Sequence, residues 1–456
     1  MPNTQSNTRD RNSYRHSHRI ISNLLYSLSI ATCISLSLVG QSASAQTLSE
    51  KVVAMERGLE KEFEDYFGQN LADVTQAPEA IARTLDRIGR ATGTKPAVLW
   101  VIPREDLLHL VLITPNGKPI VRDLKEVPSS KIREAVEAFH LEMHSSPNAV
   151  KIAAAQQLYQ WILQPYEAEF LQPAGIDTIL FCLGKGVRSL PMAALHDGKQ
   201  FLIEKYNVSQ IPAFNLIQTT HTPLQQGRIL AMGASQFQEL NPLPAVPIEL
   251  TSILKRLQET SSSLSQWQGQ SFLNQDFTLH KLQQQVKAEQ RNVIHLATHA
   301  IFKSGKPDNS YIQLWNAKLG LNDLRSLQWG KQPPDLLVLS ACRTAIGDDQ
   351  AELGFAGLAL KTGVKTALAS LWNVSDEGTL ALMNEFYAQL GKTKTKAEAL
   401  RQAQLKLLRG EVRIEGKQLR LSRGTVNLPS NANTTEVNDL SAPYYWASFT
   451  LISSPW

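Results

Sequence analysis

The sequence predicts an α/β protein with a mostly parallel central sheet flanked by helices on both faces, preceded by a helical and β-rich N-terminal region. Three observations carry that prediction. The short runs Ile229–Gly233, Val293–Ala297, Leu336–Ser340 and Thr366–Leu371 are almost continuously apolar, as in strands buried on both faces. Segments with helical spacing, such as Ile248–Leu257 and Thr278–Lys287, separate them. Strands alternating with helices of that length are the pattern of crossover connections in a parallel sheet.

The N-terminus differs in composition from the rest. The chain has 456 residues, 43% hydrophobic and 19% charged, room for two or three ordinary domains. Arg9, Arg11, Arg15 and Arg19 against Asp10 hold three of the five net positive charges within residues 1–45, leaving +2 for the remainder. With no later Lys/Arg run interleaved with aromatics, nothing in the charge pattern provides for nucleic acid. Ile20–Gly40 is apolar, follows the arginines and precedes Ser42-Ala43-Ser44-Ala45, a small-residue cleavage pattern. It reads as a secretory signal peptide over 1–45, cleaved near Ala45, which predicts an exported protein of the periplasm, cell surface or extracellular space in a bacterial-type chain. The alternative is an uncleaved anchor, since the stretch reaches the roughly 20 residues of a membrane span; a membrane is a partner only on that reading. Ile30-Ala31-Thr32-Cys33 faintly resembles a lipoprotein cleavage box. Cys182 and Cys342 then remain, too few for a disulfide framework. Either they pair once, or an unpaired thiol is kept for use.

Val52, Met55, Leu59, Phe63, Tyr66 and Phe67 recur at three and four residues, predicting an amphipathic helix over 48–67; residues 76–92 read as a second, giving a helical segment over 46–94. Residues 95–225 form a β-rich and α/β region. Its β-rich runs are 97–102 and 107–113, with Asn116-Gly117 as a turn before Pro119–Val121; helical patterning follows over 130–168, then the strand Thr178–Leu183 and a Gly184-Lys185-Gly186 turn. Residues 226–456 hold the alternation described above. They add helices over 353–361, 376–391 and 395–408, a polar insertion or hairpin over 409–442, and a closing strand in Tyr444–Ile452. No period of 20 to 50 residues recurs, which excludes a solenoid.

Functional groups of open α/β sheets gather beyond the carboxyl ends of strands. His299 follows the strand 293–297, and Cys342 follows 336–340. An imidazole and a helix N-terminus near a thiol favour the thiolate, and the chain after Cys342 enters a helix. His299 is then the candidate base and Cys342 the candidate nucleophile, with the backbone N–H groups of Ala300 and Cys342 as the candidate oxyanion hole. Other readings stand beside this one. Buried cysteines are often small core hydrophobes, and Cys182, inside a strand, is read that way. His295 and His299 are spaced as a zinc pair would be on a helix, but they lie in strand-like sequence without the Glu of H-E-x-x-H. Neither a G-x-S-x-G elbow nor a phosphate-binding G-x-x-x-x-G-K-[ST] loop occurs.

Ala297-Thr298-His299-Ala300 followed by Leu339-Ser340-Ala341-Cys342-Arg343-Thr344 resembles the CHAT domain. Leu190–Gly198, Leu243-Pro244-Ala245 with Glu249, Gly354–Ala359, Ala369–Asp376 and Tyr444–Phe449 are similar to further segments of that family, in consistent order over about 160–456. The resemblance implies the caspase-like three-layer sandwich of caspases, separases and gingipains. It also implies a His299/Cys342 dyad that hydrolyses peptide bonds without metal or cofactor; the substrate expected is a protein or peptide, with the chain itself as one candidate. Residues 95–225 would be a pseudo-caspase half and 226–456 the catalytic domain. The alternative is the same fold as a catalytically silent protein-interaction module. Two departures are visible. Ala300 stands where many members have glycine, and residues 46–94 leave room for at most one repeat-like helix pair. Asp323, Asp348, Asp349 and Glu352 lie close enough in sequence to Cys342 to favour a basic side chain at the cut.

Overall fold

Strand β1 (Pro96–Pro103) shows how the sheet is covered, because its pleat sends successive residues to opposite faces. Val98 and Trp100 cluster with Val52 and Leu59 of helix α1 (Leu48–Phe67) and with Ile81, Leu85 and Ile88 of α2 (Pro78–Thr92). Ala97, Leu99 and Val101 belong instead to the main core, with Phe139 of α3 (Ser129–His144) and Leu158 of α4 (Ala153–Ile162). Helices thus lie on both faces, which is why the strand reads as an unbroken apolar run. Helix α1 begins in a Thr47/Glu50 capping box and ends at Gly68, whose φ of 64° favours glycine.

The computed structural model describes residues 46–456 apart from 72–74, 116, 145–150, 225, 262–265, 328, 330–331 and 431–438. Residues 1–45, read from the sequence as a signal peptide and including Cys33, lie outside the described residues. After β1 come β2 (Leu108–Ile113), β3 (Ile120–Leu124), β4 (Thr178–Leu183), β5 (Asn207–Ile211), β6 (Gly227–Gly233) and β7 (Trp267–Leu273). Then follow β8 (Val293–Phe302), β9 (Tyr311–Gln313), β10 (Lys318–Gly320), β11 (Leu336–Thr344) and β12 (Thr366–Ser370). Arg413–Glu415, Gln418–Arg420 and Thr425–Asn427 (β13–β15) make a separate small sheet within the polar 409–442 region, and β16 is Phe449–Ser453.

The main sheet runs β10-β9-β8-β11-β12-β16-β5-β4-β1-β2-β3, with β6 pairing β7 and β8. β7, β6, β8, β11 and β12 are mutually parallel, as are β5, β4 and β1; β1–β3 form an antiparallel meander. β16 is antiparallel to β12 and parallel to β5, so one sheet runs through residues on both sides of position 225. The carboxyl-terminal helices are α5 (Val246–Glu259), α6 (Leu279–Ala288), α7 (Asp349–Ala356), α8 (Leu358–Thr362), α9 (Asp376–Leu390) and α10 (Lys396–Leu408).

Several boundaries differ from expectation for tertiary reasons. The helix expected over 353–361 breaks at Gly357, where a Cβ would stand 2.5 Å from the Phe67 ring of α1. In the expected closing strand, Pro443–Trp446 is a helical turn and pairing starts at Phe449. β7 escapes the sequence pattern because, among the described residues, it pairs only with β6, and it is polar and exposed over Gln268–Ser271. Among the described residues no helix is long and apolar enough to cross a membrane.

Candidate active site

β8 changes neighbours partway along its length. Residues 293–297 pair with Ile229–Gly233 of β6, whereas Ala300 and Ile301 pair with Ile312 and Tyr311 of β9. His299 falls at this changeover, where the chain leaving β6 turns away and opens the kind of crevice in which α/β sheets bind ligands. The departing loop closes over the imidazole. His299 Nε2 donates to the Asn241 carbonyl at 2.8 Å, and the Phe237 ring packs edge-on with centroids 4.8 Å apart. Because a carbonyl only accepts, Nε2 carries the proton and Nδ1 keeps its lone pair. Partial burial holds the imidazole pKa below its usual value, against the Asn241 hydrogen bond, so the ring is neutral at pH 7. The neighbouring Thr298 hydroxyl donates to the Gln313 carbonyl at 2.6 Å, tying β8 to the β9–β10 hairpin.

The sequence places His299 and Cys342 just past their strands; in the fold both lie within them, because β8 and β11 stay paired as far as Phe302 and Thr344. Small and polar residues in this stretch carry no strand signal of their own. A register shift between Leu339 and Ala341 sets Ala341 opposite His299 and Cys342 opposite Ala300. Paired residues of parallel strands point to the same side and successive residues to opposite sides. Cys342 therefore faces away from His299. Burial agrees: Cys342, Ala300, Phe302 and Thr344 are buried, whereas His299, Ile301 and Ala341 are half-buried and Arg343 is exposed.

The thiol donates to the Leu339 carbonyl at 3.4 Å, and among the described residues no hydrogen bond joins it to His299. Burial pushes its pKa up to about 12, outweighing the hydrogen bonds of Ser370. Ser370 brackets the same residue: the Cys342 N–H donates to its Oγ at 3.2 Å, and its hydroxyl donates to the Cys342 carbonyl at 3.3 Å. The two candidate catalytic side chains thus sit on neighbouring strands, near each other in register and turned apart. In this conformation the thiol is protonated, and the Cys342 N–H, a candidate oxyanion donor, is engaged by Ser370.

His295 has a separate environment. It is buried, with Nδ1 3.1 Å from the Tyr387 hydroxyl of α9 and Nε2 3.0 Å from Glu249 of α5, so the two histidines considered as a zinc pair hold different partners. Among the described residues no three His, Cys, Asp or Glu side chains gather as a metal site would require. Cys182 lies inside β4, and its Sγ donates to the Pro212 carbonyl at 3.3 Å. Three of the four acids near Cys342 serve the local structure: Asp348 caps α7 through the N–H groups of Gln350 and Ala351, Asp349 pairs with Lys185 at 2.8 Å, and buried Glu352 accepts from the Gly347 N–H. Asn241, Phe237 and Ser370 escape sequence reasoning. Ser370 lies within the matched segment 369–376 without a role assigned, and Phe237 stands out as an aromatic residue in a polar loop just past a buried strand.

A cavity of about 630 Å³ opens between the loop leaving β6 and the β9–β10 hairpin, and its lining includes Phe237, the ring that packs on His299. Fold and site together describe an α/β protein whose candidate histidine and cysteine ride adjacent parallel strands at the crevice of a two-sided sheet. The sequence matches the CHAT domain model over residues 153–454, more than half its length, and the chain belongs to the CHAT domain family. Among solved structures it is similar to Saccharomyces cerevisiae separase in two separase–securin complexes. Both show 9% identity, with TM-scores of 0.44 and 0.43 and coverage of 83% and 84% of this chain. The chain spans about a third of those chains, 31% and 32%. It is also similar to the complex of the pro- and mature domains of Porphyromonas gingivalis RgpB, with 12% identity, a TM-score of 0.37 and 78% of each chain covered. A comparison with curated proteins found no match.

Proposed function

We propose that this chain is an exported caspase-like cysteine endopeptidase that hydrolyses peptide bonds through His299 and Cys342. The observation that carries the reading is the adjacency of β8 and β11, which sets Cys342 opposite Ala300 and one residue out of register with His299. Catalysis then requires the pairs beyond Leu339 to open and the thiol to turn toward the imidazole. The free Nδ1 lone pair takes the thiol proton, the thiolate attacks the scissile carbonyl, and the released N–H of Cys342 with that of Ala300 stabilises the oxyanion. The imidazolium protonates the leaving amine, and water hydrolyses the thioester. Substrates are proteins or peptides, with the chain itself as one candidate. Export rests on the arginine-rich, apolar and small-residue order of residues 1–45.

The test is incubation of the protein from Gln46 onward, beside its Cys342→Ala variant, with a mixed peptide library read by mass spectrometry. Cleavage by the wild type alone is expected. One observation favours a second reading, a silent CHAT-fold interaction module: the thiol is fully buried, protonated and bound to main-chain oxygen. No cleavage from either protein, together with a thiol that no alkylating reagent reaches, selects that reading.

A further inference from the structure

We propose that the cavity lined by Phe237 is the pocket for an uncharged, aromatic or large aliphatic side chain of the peptide substrate, an inference that rests on the peptidase reading. Its position comes first. One wall is the loop Gln236–Leu240 that leaves β6, and the other is the β9–β10 hairpin from Gln313 to Lys318. Both walls touch the neighbourhood of the candidate base: Phe237 packs on the His299 ring, and Gln313 receives the hydroxyl of Thr298, the residue before it. A side chain in the cavity therefore lies against Phe237, the ring that packs on the candidate base. The volume of about 630 Å³ falls within the range of roughly 300–1,000 Å³ typical of ligand sites.

The lining then selects the occupant. Its two charges answer each other, since Lys318 Nζ lies 3.4 Å from Glu239 Oε2; the ammonium also sits 5.1 Å from the centre of the Tyr311 ring. The Gln313 amide nitrogen is spent on the Leu314 and Ala317 carbonyls. Gln236, Gln238 and Asn316 of the lining are exposed to solvent, and the apolar surface offered to a guest is the half-buried rings of Phe237 and Trp315, which back onto the main core. A charged guest loses water and finds no free counter-charge, whereas an apolar one covers two aromatic surfaces. The acids that would have argued for a basic guest are not in this lining, and Asp348, Asp349 and Glu352 are committed to α7 and its entry loop.

The test separates this pocket from catalysis. Full-length protein carrying Cys342→Ala is titrated calorimetrically with short blocked peptides that differ at one central residue: Phe, Leu, Lys or Asp. The Phe and Leu peptides should bind about tenfold more tightly than the charged ones, the scale of one aromatic contact with its buried area. Trp315→Ala should erase that difference. Lys318→Glu, a change on an exposed side chain that does not threaten folding, should shift preference toward the Lys peptide by leaving two carboxylates in the cavity. Tighter binding of charged peptides, or indifference to both substitutions, overturns the proposal. Library cleavage by the wild type with a charged preference at every position also overturns it while leaving the peptidase intact. Phe peptides that bind but are never cut support the pocket and break the peptidase.

Discussion

Cys182 and Cys342 are both fully buried thiols on interior strands, and they differ in what holds the backbone around them. Cys182 is paired on both sides, with Trp100 of β1 and Ile211 of β5. Cys342 is paired on one side with Ala300, while the ladder to β12 ends three residues earlier at Leu339 and the loop Ala345–Asp348 follows closely. Ser370, a side chain rather than a strand, supports its other flank. Exposing Cys182 requires breaking the middle of the sheet, whereas exposing Cys342 requires opening a few terminal pairs, and such local openings cost far less than global unfolding. Burial alone thus fails to separate a core cysteine from a candidate nucleophile, and backbone support separates them.

The largest effect that tests this contrast is on turnover. Cys342→Ala should lower peptide cleavage by at least about a thousandfold, as for loss of a nucleophile, and His299→Ala should do the same. Cys182→Ala should stay within about twofold of wild type, and an equal loss there in a folded protein would erase the distinction. Next comes alkylation. Iodoacetamide should label Cys342 in the native protein at least about a hundredfold faster than Cys182, in proportion to the cheaper opening. Because burial holds the Cys342 pKa near 12, its rate should climb about tenfold per pH unit from pH 7 to 10. A plateau near neutrality would instead show the thiol already paired with His299, contrary to the closed arrangement described above.

The rigid side has its own test. Glu56 of α1 is buried beside Trp100, accepting from its Nε1 at 2.7 Å and from the Asn215 N–H at 2.9 Å. Burial nonetheless raises its carboxyl pKa to about 7. Between the ordinary value of 4.5 and that value the folded protein holds a proton that the unfolded chain has lost, so stability falls as pH rises through this window, by roughly 3 kcal/mol. Glu56→Gln should be free of that decline, and the difference between the two proteins in urea melts at pH 5 and pH 7.5 measures it. A variant that tracks wild type at both pH values would show that the carboxyl is ionised in place. The smallest expected effect is Lys185→Ala, which cuts the ion pair to Asp349 between the turn after β4 and the first turn of α7. Both partners are substantially exposed, and the loss should be under about 0.5 kcal/mol by denaturant titration.

Much of the architecture is legible in local sequence. Helix α1 follows from its three-and-four spacing and its capping box, and the centres of β4, β6, β8, β11 and β12 follow from apolar runs that local polarity does not interrupt. The strand ends are less legible. His299–Phe302 and Ala341–Thr344 become strand only because each finds the other, and β7 and β9 depend equally on partners distant in the chain. The site follows the same division. His299 and Cys342 stand out by residue type and by their places beyond apolar runs, while Asn241, Phe237 and Ser370 come to them through the fold.

The sequence by itself determined the two-sided burial of the sheet, most of its helices, the family, and the candidate histidine and cysteine, because each is written in local spacing or short motifs. Only the tertiary structure decided that β16 lies between β12 and β5, that β9 replaces β6 beside β8 at His299, and that Cys342 turns away from the imidazole. The physical reason is that register is a property of two strands together. A one-residue shift, here between Leu339 and Ala341, reverses the face a side chain occupies, and no single segment of sequence encodes it.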